Sequence, residues 1–302
     1  MTVGSRRPQL HTLLSGGRGA DASPKTENGS SLLNARRSLP RAVSLMYHDV
    51  VPPGAPDASG FAGGGPARYK LTWDLFRAHL DAIAAAEVRV EKVLDVAASG
   101  RQPRPWPVVL TFDDGGASAE QIGDVLVAAG WVGHFFITVD RLGSPGFLDA
   151  ADVRRLAEMG HEIGTHSCSH YSPFNRLDDE RLLEEWRRSA ATLADIIGRP
   201  VEVGSVPGGY SSRRVERAAA ESGLKALFTS EPLASSRRVG GCLVLGRYAV
   251  LSDTTAAAVG RLARGETRPR LRQLASWKTR GAAKAVLGDR YRALRTRLLE
   301  DG

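Results

Sequence analysis

Two short stretches of the sequence carry residue types that can bind a metal ion and transfer protons. VVLTFDDGG ends an apolar run with the adjacent carboxylates Asp113 and Asp114, and GTHSCSH carries His166 and His170 four positions apart. One carboxylate can bind a divalent cation while the other stays free as a base, and two imidazoles at this spacing can chelate the same ion from one face of a helical turn. Together the two stretches favour metal-assisted hydrolysis.

Each stretch taken alone also has an ordinary structural explanation. Asp-Asp-Gly fits a turn that caps the next helix, and roughly one shuffled sequence in seven at this histidine content would contain such a pair. Both stretches follow predicted strands, and in parallel α/β folds functional groups gather at the carboxyl ends of strands. Cys168, between the histidines, is predicted to be a buried spacer because it would point away from their shared face.

A third predicted strand is followed by GSVPGGYSSR, a candidate oxyanion-binding loop. Its glycines can leave backbone N–H groups free to approach a ligand, and its tyrosine offers a hydroxyl. A plain β-turn explains the stretch equally well. The residues assigned to oxyanion or substrate binding are Pro207, Gly208, Gly209 and Tyr210.

A fourth strand end, LMYHDV, places His48 and Asp49 at the same edge of the predicted sheet. A lone histidine there can be structural. Beside a metal and a base, an imidazole is the natural general acid, because it titrates near neutral pH. His48 is therefore the candidate that would protonate a leaving amine.

The motifs LTFDDG and HSxxH resemble those of the polysaccharide deacetylase family, the NodB-homology, carbohydrate esterase family 4-like hydrolases. With MYHDV near the start of the domain, the chain is most similar to the subgroup that includes the poly-N-acetylglucosamine deacetylases. The resemblance covers approximately residues 42–250. It implies the following roles: Asp113 as catalytic base, His48 as general acid, and Asp114, His166 and His170 as metal ligands.

The resemblance also implies a fold, a cofactor and a substrate class. The fold is α/β, a distorted (β/α) barrel of about seven parallel strands. The cofactor is a divalent metal, zinc before cobalt, nickel or iron, and zinc lowers the pKa of water to about 7. The expected reaction is hydrolysis of the acetamido group of an N-acetylated sugar or glycan.

Two family features are missing from this sequence. The usual Arg-x-Pro, whose arginine orients the base, is replaced because Ser205 and Val206 precede Pro207. The usual late Leu-x-His is absent, and the corresponding region reads LGRYAV, with Arg247. Arg247 and Arg213 are the candidates for the arginine that orients the base.

Strand-like and helix-like segments alternate between residues 42 and 260, which predicts a parallel sheet. The predicted strands are AVSLM, PVVLTF, VGHFFITV, HEIGT, VEVGSV, LKALFT and CLVLGRYAV, the last taken as one strand. The predicted helices include 71–86 with Thr72 as N-cap, 149–160 with Asp149 as N-cap, and 178–198, which ends at Gly198.

The net charge of +8 is concentrated at the two ends of the chain. Residues 1–41 are expected to form a disordered basic leader, residues 42–260 the deacetylase domain, and residues 261–302 a basic amphipathic helical tail. One face of that tail carries Ala283, Leu287, Tyr291, Leu294 and Leu298. The tail is expected to lie against the domain, or alternatively to contact a membrane surface or an acidic partner. Nucleic-acid binding is not expected, because no aromatic platform accompanies the basic residues.

The two cysteines form no disulfide framework, and no apolar signal segment is recognised at the start. We therefore expect a cytoplasmic protein, peripheral to the membrane if the tail binds one. Two other functions stay open. One is metal-dependent hydrolysis of a non-sugar amide or formyl group, and the other is a non-catalytic glycan-binding module of the same fold.

Overall fold

The computed structural model describes residues 39–99 and 104–279. Almost all of the predicted leader 1–41 lies outside the described residues. So does the apolar face predicted for the tail, from Ala283 to Leu298. The expectations for both segments, including membrane contact, therefore stay predictions.

The described residues contain a nine-stranded, mostly parallel sheet in the order β11-β1-β4-β5-β6-β7-β8-β10-β9. Its strands are Val43–Tyr47 (β1), Val108–Phe112 (β4), Gly133–Ile137 (β5), Glu162–Thr165 (β6), Val203–Ser205 (β7), Ala226–Phe228 (β8), Ser236–Val239 (β9), Cys242–Leu245 (β10) and Tyr248–Ala249 (β11). Only β9 runs antiparallel to its neighbour, β10. Two short strands, Val50–Val51 (β2) and Leu71–Thr72 (β3), pair separately in parallel.

Helices cover the sheet. They are Gly64–Ala67 (α1), Trp73–Ala84 (α2), Val93–Ser99 (α3), Ala119–Ala128 (α4), Ala150–Glu158 (α5), Asp179–Ile197 (α6), Arg213–Glu221 (α7) and Ala256–Ala263 (α8). Residues 267–279 are also helical. The predicted boundary at residue 260 falls inside α8, whose Val259 and Leu262 are buried. No described helix is long and apolar enough to cross a membrane.

The predicted helix ends are confirmed by their capping contacts. The Thr72 side chain accepts a hydrogen bond from the backbone N–H of Leu75 at the start of α2. Asp149 and Asp152 form a capping box at the start of α5. Helix α6 ends at Gly198, whose φ of 70° suits glycine.

The central strands are buried over their whole length, as expected of a parallel sheet covered on both faces. Every residue of β1, β4 and β5 is buried. The sheet curls into a half-barrel, which confirms the expected distorted (β/α) barrel. An isolated antiparallel bridge joins Arg41, before β1, to Ser235, before β9.

The prediction of one last strand over CLVLGRYAV is wrong. The chain forms β10 up to Leu245, which pairs beside β8, and then β11 from Tyr248, which pairs beside β1. Gly246 and Arg247 connect the two strands. A Cβ at Gly246 would lie 2.0 Å from the carbonyl oxygen of Glu231, so only glycine fits this crossing.

Candidate metal-binding active site

The residues singled out from the sequence meet at the carboxyl edge of the sheet. Asp113 and Asp114 follow β4, His166 follows β6, and His48 follows β1. Arg247 lies in the connection from β10 to β11. Because β1, β4, β5 and β6 are parallel neighbours, their carboxyl ends open onto one edge.

Asp114, His166 and His170 form a cluster with the chemistry of a metal site. Asp114 Oδ1 lies 3.3 Å from His166 Nε2 and 3.5 Å from His170 Nε2. One ligand atom from each of the three residues can be chosen so that all lie within 4.8 Å of one another. One carboxylate oxygen and two imidazole nitrogens are a usual ligand set for a zinc ion that keeps an open position.

The tautomer of His166 supports the fit of a cation at this cluster. His166 Nδ1 lies 3.0 Å from the backbone carbonyl oxygen of Ser205, so Nδ1 carries the proton and donates it. In a neutral ring, Nε2 then directs its lone pair at the Asp114 carboxylate. Two acceptors at 3.3 Å require a proton or a cation between them.

The segment from His166 to His170 is not the helical turn that its spacing predicts. Ser167 and His170 have φ angles of 65° and 54°, and no helix is assigned there. Asp114 also has a positive φ, 78°. Backbone conformations of this kind are costly for residues other than glycine, and they concentrate at functional sites.

The protonation states of the cluster suit a metal ligand set. Burial alone raises the pKa of the Asp114 carboxyl, but the contact with His166 and the nearby imidazoles outweigh it and lower the pKa well below its usual value. Burial, together with His166, lowers the pKa of the His170 imidazole to about 4. At neutral pH the cluster therefore holds an ionised carboxylate and a neutral His170.

Asp113 is held by Arg247, which is fully buried. Arg247 Nη1 donates to Asp113 Oδ1 at 2.6 Å, and Nη2 donates to Asp113 Oδ2 at 2.8 Å. The same guanidinium donates to Ser205 Oγ at 2.7 Å, to Thr111 Oγ1 at 3.1 Å and to the Thr229 carbonyl oxygen at 3.2 Å. This clamp fixes the orientation of the Asp113 carboxylate.

The charge of Arg247 keeps Asp113 ionised. Burial raises the pKa of the Asp113 carboxyl, but Arg247 first, and then His166 and His48, lower it below its usual value. Of the two arginines considered from the sequence, Arg247 is the one in contact with Asp113. Arg213 is exposed in the first turn of α7, so the structure contradicts its assignment as the orienting residue.

Sequence reasoning did not assign a role to Ser205. It stands where the family pattern has the arginine of Arg-x-Pro, and its hydroxyl receives Arg247 instead. Its backbone carbonyl oxygen accepts from His166. The only sequence signal for this exchange was a small residue at the arginine position together with an arginine at the late histidine position.

His48 lies close enough to the two aspartates to lower the pKa of both carboxyls. Its ring lies 4.5 Å from that of Tyr69, and its Nδ1 is buried with no hydrogen-bond partner among the described residues. Asp49 is different. It is buried and accepts from Ser59 Oγ at 2.6 Å and Ser118 Oγ at 2.9 Å, and burial raises the pKa of its carboxyl.

The candidate oxyanion loop forms a tight turn directly after β7, over Pro207–Gly209. Gly208 and Gly209 have φ angles of 58° and 69°, which explains the glycine pair. The N–H of Gly209 is directed at the carbonyl oxygen of Val206, 3.4 Å away, and the N–H of Tyr210 at that of Pro207. These two donors are used within the turn, so an oxyanion role for the loop stays a prediction.

The β2–β3 connection supplies a wall of the site that sequence reasoning missed. The Phe61 ring lies 4.7 Å from that of His170 and 5.1 Å from that of Phe147. Lys70 Nζ donates to the carbonyl oxygens of Pro56, Ser59 and Phe61, each at 2.6 Å. No periodic pattern marks this connection, in which one buried ammonium group binds three carbonyl oxygens.

Cys168 is fully buried, as predicted for a spacer. Burial raises the pKa of its thiol to about 12, and Sγ contacts the backbone carbonyl oxygen of Glu185. A protonated, enclosed thiol is a poor metal ligand.

Comparisons with known proteins found a family model and several solved structures that are similar to this chain. The polysaccharide deacetylase family model matches residues 100–227. Among curated proteins, none matches this sequence.

Several solved structures have a similar fold. The Streptococcus pyogenes deacetylase PplD, in complex with acetate, is 18% identical, with a TM-score of 0.61 over 72% of this chain and 96% of that one. IcaB from Ammonifex degensii is 20% identical, with a TM-score of 0.62 over 75% and 98% of the two chains. A de-N-acetylase from Aggregatibacter actinomycetemcomitans is 20% identical, with a TM-score of 0.58 over 71% and 96%.

Proposed function

We propose that this protein is a metal-dependent N-deacetylase, because residues 100–227 match the polysaccharide deacetylase family model. Its reaction is hydrolysis of the acetamido group of an N-acetylated sugar or glycan. One observation carries the proposal: two adjacent carboxylates have different partners. Asp114 faces two imidazoles, whereas Asp113 is clamped by Arg247 and keeps its charge.

The metal ligands are Asp114, His166 and His170, and zinc is the ion that suits them best. When bound, such an ion supplies Lewis-acid chemistry, in which it polarises a carbonyl oxygen and lowers the pKa of water. The remaining work falls to side chains of this chain.

Asp113 acts as general base. Its carboxylate is ionised at neutral pH and held in one orientation by Arg247, so it can accept the proton of the attacking water. Asp113 lies beside Asp114 in sequence, and this adjacency keeps the base next to the ligand cluster throughout the reaction.

His48 acts as general acid. The leaving group is an amine, which must be protonated before the C–N bond breaks readily. The imidazole of His48 lies close to both aspartates and has a buried Nδ1 without a partner among the described residues.

Aromatic side chains support a sugar as substrate. Phe61 lies against His170, and Tyr69 lies against His48. A third aromatic ring, that of Tyr210, lies beside Gly208 in the β7 turn. Aromatic faces of this kind suit the apolar faces of sugar rings.

The test is acetate release by protein that is first stripped with a chelator and then reloaded with zinc or cobalt. N-acetylglucosamine, its oligosaccharides, a non-sugar acetamide and a formamide would be compared. We expect acetate from the sugars only after reloading. Turnover of the non-sugar amide alone would support a different hydrolase, and tight metal binding without any turnover would support a binding module.

Two variants test whether Asp113 acts as the base while His166 binds the metal. Asp113→Asn is expected to keep the metal and lose turnover by about 100- to 10,000-fold, because general base catalysis is removed. His166→Ala is expected to lose both metal and turnover. An Asp113→Asn protein that cannot bind metal would refute this division.

The acid assignment is tested by His48→Ala. We expect it to bind metal normally and to lose turnover of the amide by about 100-fold or more. Acetate esters with a good leaving group, which need little protonation, should be hydrolysed at nearly the wild-type rate. Unimpaired amide turnover would remove His48 from the acid role.

A further inference from the structure

The segment between the two metal-ligand histidines has no regular structure of its own. Ser167 and His170 adopt positive φ angles, which are costly for residues other than glycine and persist only where surrounding contacts enforce them. The backbone carbonyl oxygens of Ser167 and Cys168 accept from the N–H groups of Val139 and Asp140. The N–H groups of the same segment need hydrogen-bond acceptors on the side that faces away from Val139 and Asp140.

We infer that Glu185 is the residue that holds this segment, and with it His170, in the geometry for metal binding. Glu185 Oε2 accepts from the backbone N–H of Cys168 at 2.9 Å and from that of Ser169 at 3.0 Å. Glu185 Oε1 accepts from Ser169 Oγ at 2.7 Å. Successive N–H groups that converge on one carboxylate form an anion-binding nest, here filled by a side chain of the protein itself.

The carboxylate is presented from a rigid support. Glu185 lies on α6 next to Trp186, which is fully buried. Ser189, one turn further along α6, donates to the Glu185 carbonyl oxygen at 2.7 Å and also contacts Thr165 at the end of β6. Ser189 thus joins helix α6 to the end of strand β6, directly before the segment from His166 to His170.

The two histidines depend on Glu185 to different extents. His166 is fixed by its position directly after β6 and by the contact of its Nδ1 with Ser205. His170 follows the segment that Glu185 holds, and its N–H donates to Ser167 Oγ at 3.1 Å. Loss of the Glu185 carboxylate should therefore displace His170 more than His166.

The hydrogen bonds of the Glu185 carboxylate predict how substitutions at this position change metal affinity. Methionine at position 185 keeps the volume and removes both acceptors. Glutamine keeps one acceptor oxygen for the two N–H groups, and its amide can donate to the Ser169 hydroxyl. Metal affinity should therefore follow the hydrogen bonds and not the size of the side chain.

This inference rests on the proposed function, because it assumes that Asp114, His166 and His170 bind a metal. The experiment is a chelator-competition titration of the stripped full-length protein with zinc, with the absorption spectrum of the cobalt-loaded protein as a second readout. E185M is compared with E185Q and with E184A, which changes an exposed residue next to it on α6.

We expect E185M to bind zinc about 10- to 100-fold more weakly than the wild type, as is usual when a group that orients a metal ligand is lost. Its cobalt spectrum should change, because His170 is displaced. E185Q should remain within about threefold of the wild type, and E184A should be indistinguishable from it. If E185M does not fold, S169A, which removes the hydroxyl donor, should still weaken zinc binding several-fold.

The outcomes separate the two proposals. Wild-type protein that binds no zinc would overturn the proposed function and this inference together. Wild-type protein that binds zinc while E185M or S169A binds it equally well would overturn the inference alone. Equal weakening in E185M and E184A would also overturn it, because the effect would then belong to the helix and not to the carboxylate.

Discussion

Replacing Arg247 by methionine should destabilise the protein, because the buried Asp113 carboxylate loses the positive charge beside it. Arg247 has 0% relative exposure and Asp113 has 5%. The pair is joined by hydrogen bonds of 2.6 and 2.8 Å. Removing one partner of a buried ion pair leaves an uncompensated charge and typically costs about 3–5 kcal/mol. We expect R247M to lose about that much of its free energy of unfolding at pH 7.

A double-mutant cycle isolates the pair from the rest of the arginine contacts. D113N alone should also destabilise the protein, because it leaves the guanidinium short of negative charge. The double variant R247M/D113N carries neither charge and should be much more stable than the sum of the two single losses predicts. The assay is urea unfolding followed by circular dichroism, with R213M as control. Because Arg213 is exposed, R213M should stay within about 0.5 kcal/mol of the wild type.

The pH dependence gives a second check on the same pair. The pKa of the Asp113 carboxyl is lowered in the folded protein from an ordinary value of 3.8. Its stabilisation is therefore present above pH 3.8 and is lost as the pH falls through the folded pKa. In R247M the buried carboxyl lacks the arginine charge, so the difference in free energy of unfolding between R247M and the wild type should narrow as the pH falls. The reasoning would be refuted if the losses in free energy of unfolding of R247M and D113N add up, within about 0.5 kcal/mol, to the loss of the double variant.

Two further predictions concern residues outside the ligand cluster. Burial lowers the pKa of His134 from 6.5 to about 4. Between these pH values the imidazole is protonated in the unfolded state but not in the folded state. The free energy of unfolding should therefore fall by about 3 kcal/mol from pH 6.5 to 4. H134Q should remove that part of the fall in urea-unfolding curves taken across this range, and an unchanged pH dependence would contradict the assignment. K70M should make the β2–β3 connection more flexible, because Lys70 donates to three of its carbonyl oxygens. Chymotrypsin should then cut at Phe61 faster than in the wild type or in R68M, which changes an exposed side chain, and an unaltered rate would refute the role of Lys70.

The central strands, and the position of the candidate ligand residues at the sheet edge, could be predicted from the sequence because both depend on local patterns. The apolar run before Asp113 forms a buried strand, and its end places the two carboxylates at the sheet edge. The same holds for His166 after β6. The capping residues Thr72 and Asp149 are also local signals, and both form the predicted contacts.

Features that depend on long-range contacts could not be predicted in the same way. The histidine spacing predicts a helical turn, but the segment takes an irregular path that Glu185 supports from 17 positions away from Cys168. The Lys70 contacts that hold the β2–β3 connection are not visible as a pattern either. In each case one polar side chain satisfies several backbone groups, and composition does not reveal which groups it will meet.

The arginine that orients the base shows how the curl of the sheet and the chemistry of the site are coupled. Leu245 pairs beside β8 and Tyr248 beside β1, strands at opposite ends of the run β1-β4-β5-β6-β7-β8. Three chain steps span at most about 11 Å, so the curl of the sheet must bring those two strands within that reach. Arg247 lies in this crossing and extends its guanidinium to Asp113 and to Ser205 at the end of β7. An arginine on β7 would occupy the same space from the opposite side. The small side chain of Ser205 is therefore the complement of Arg247, and the base is oriented by the segment that brings the two ends of the sheet together.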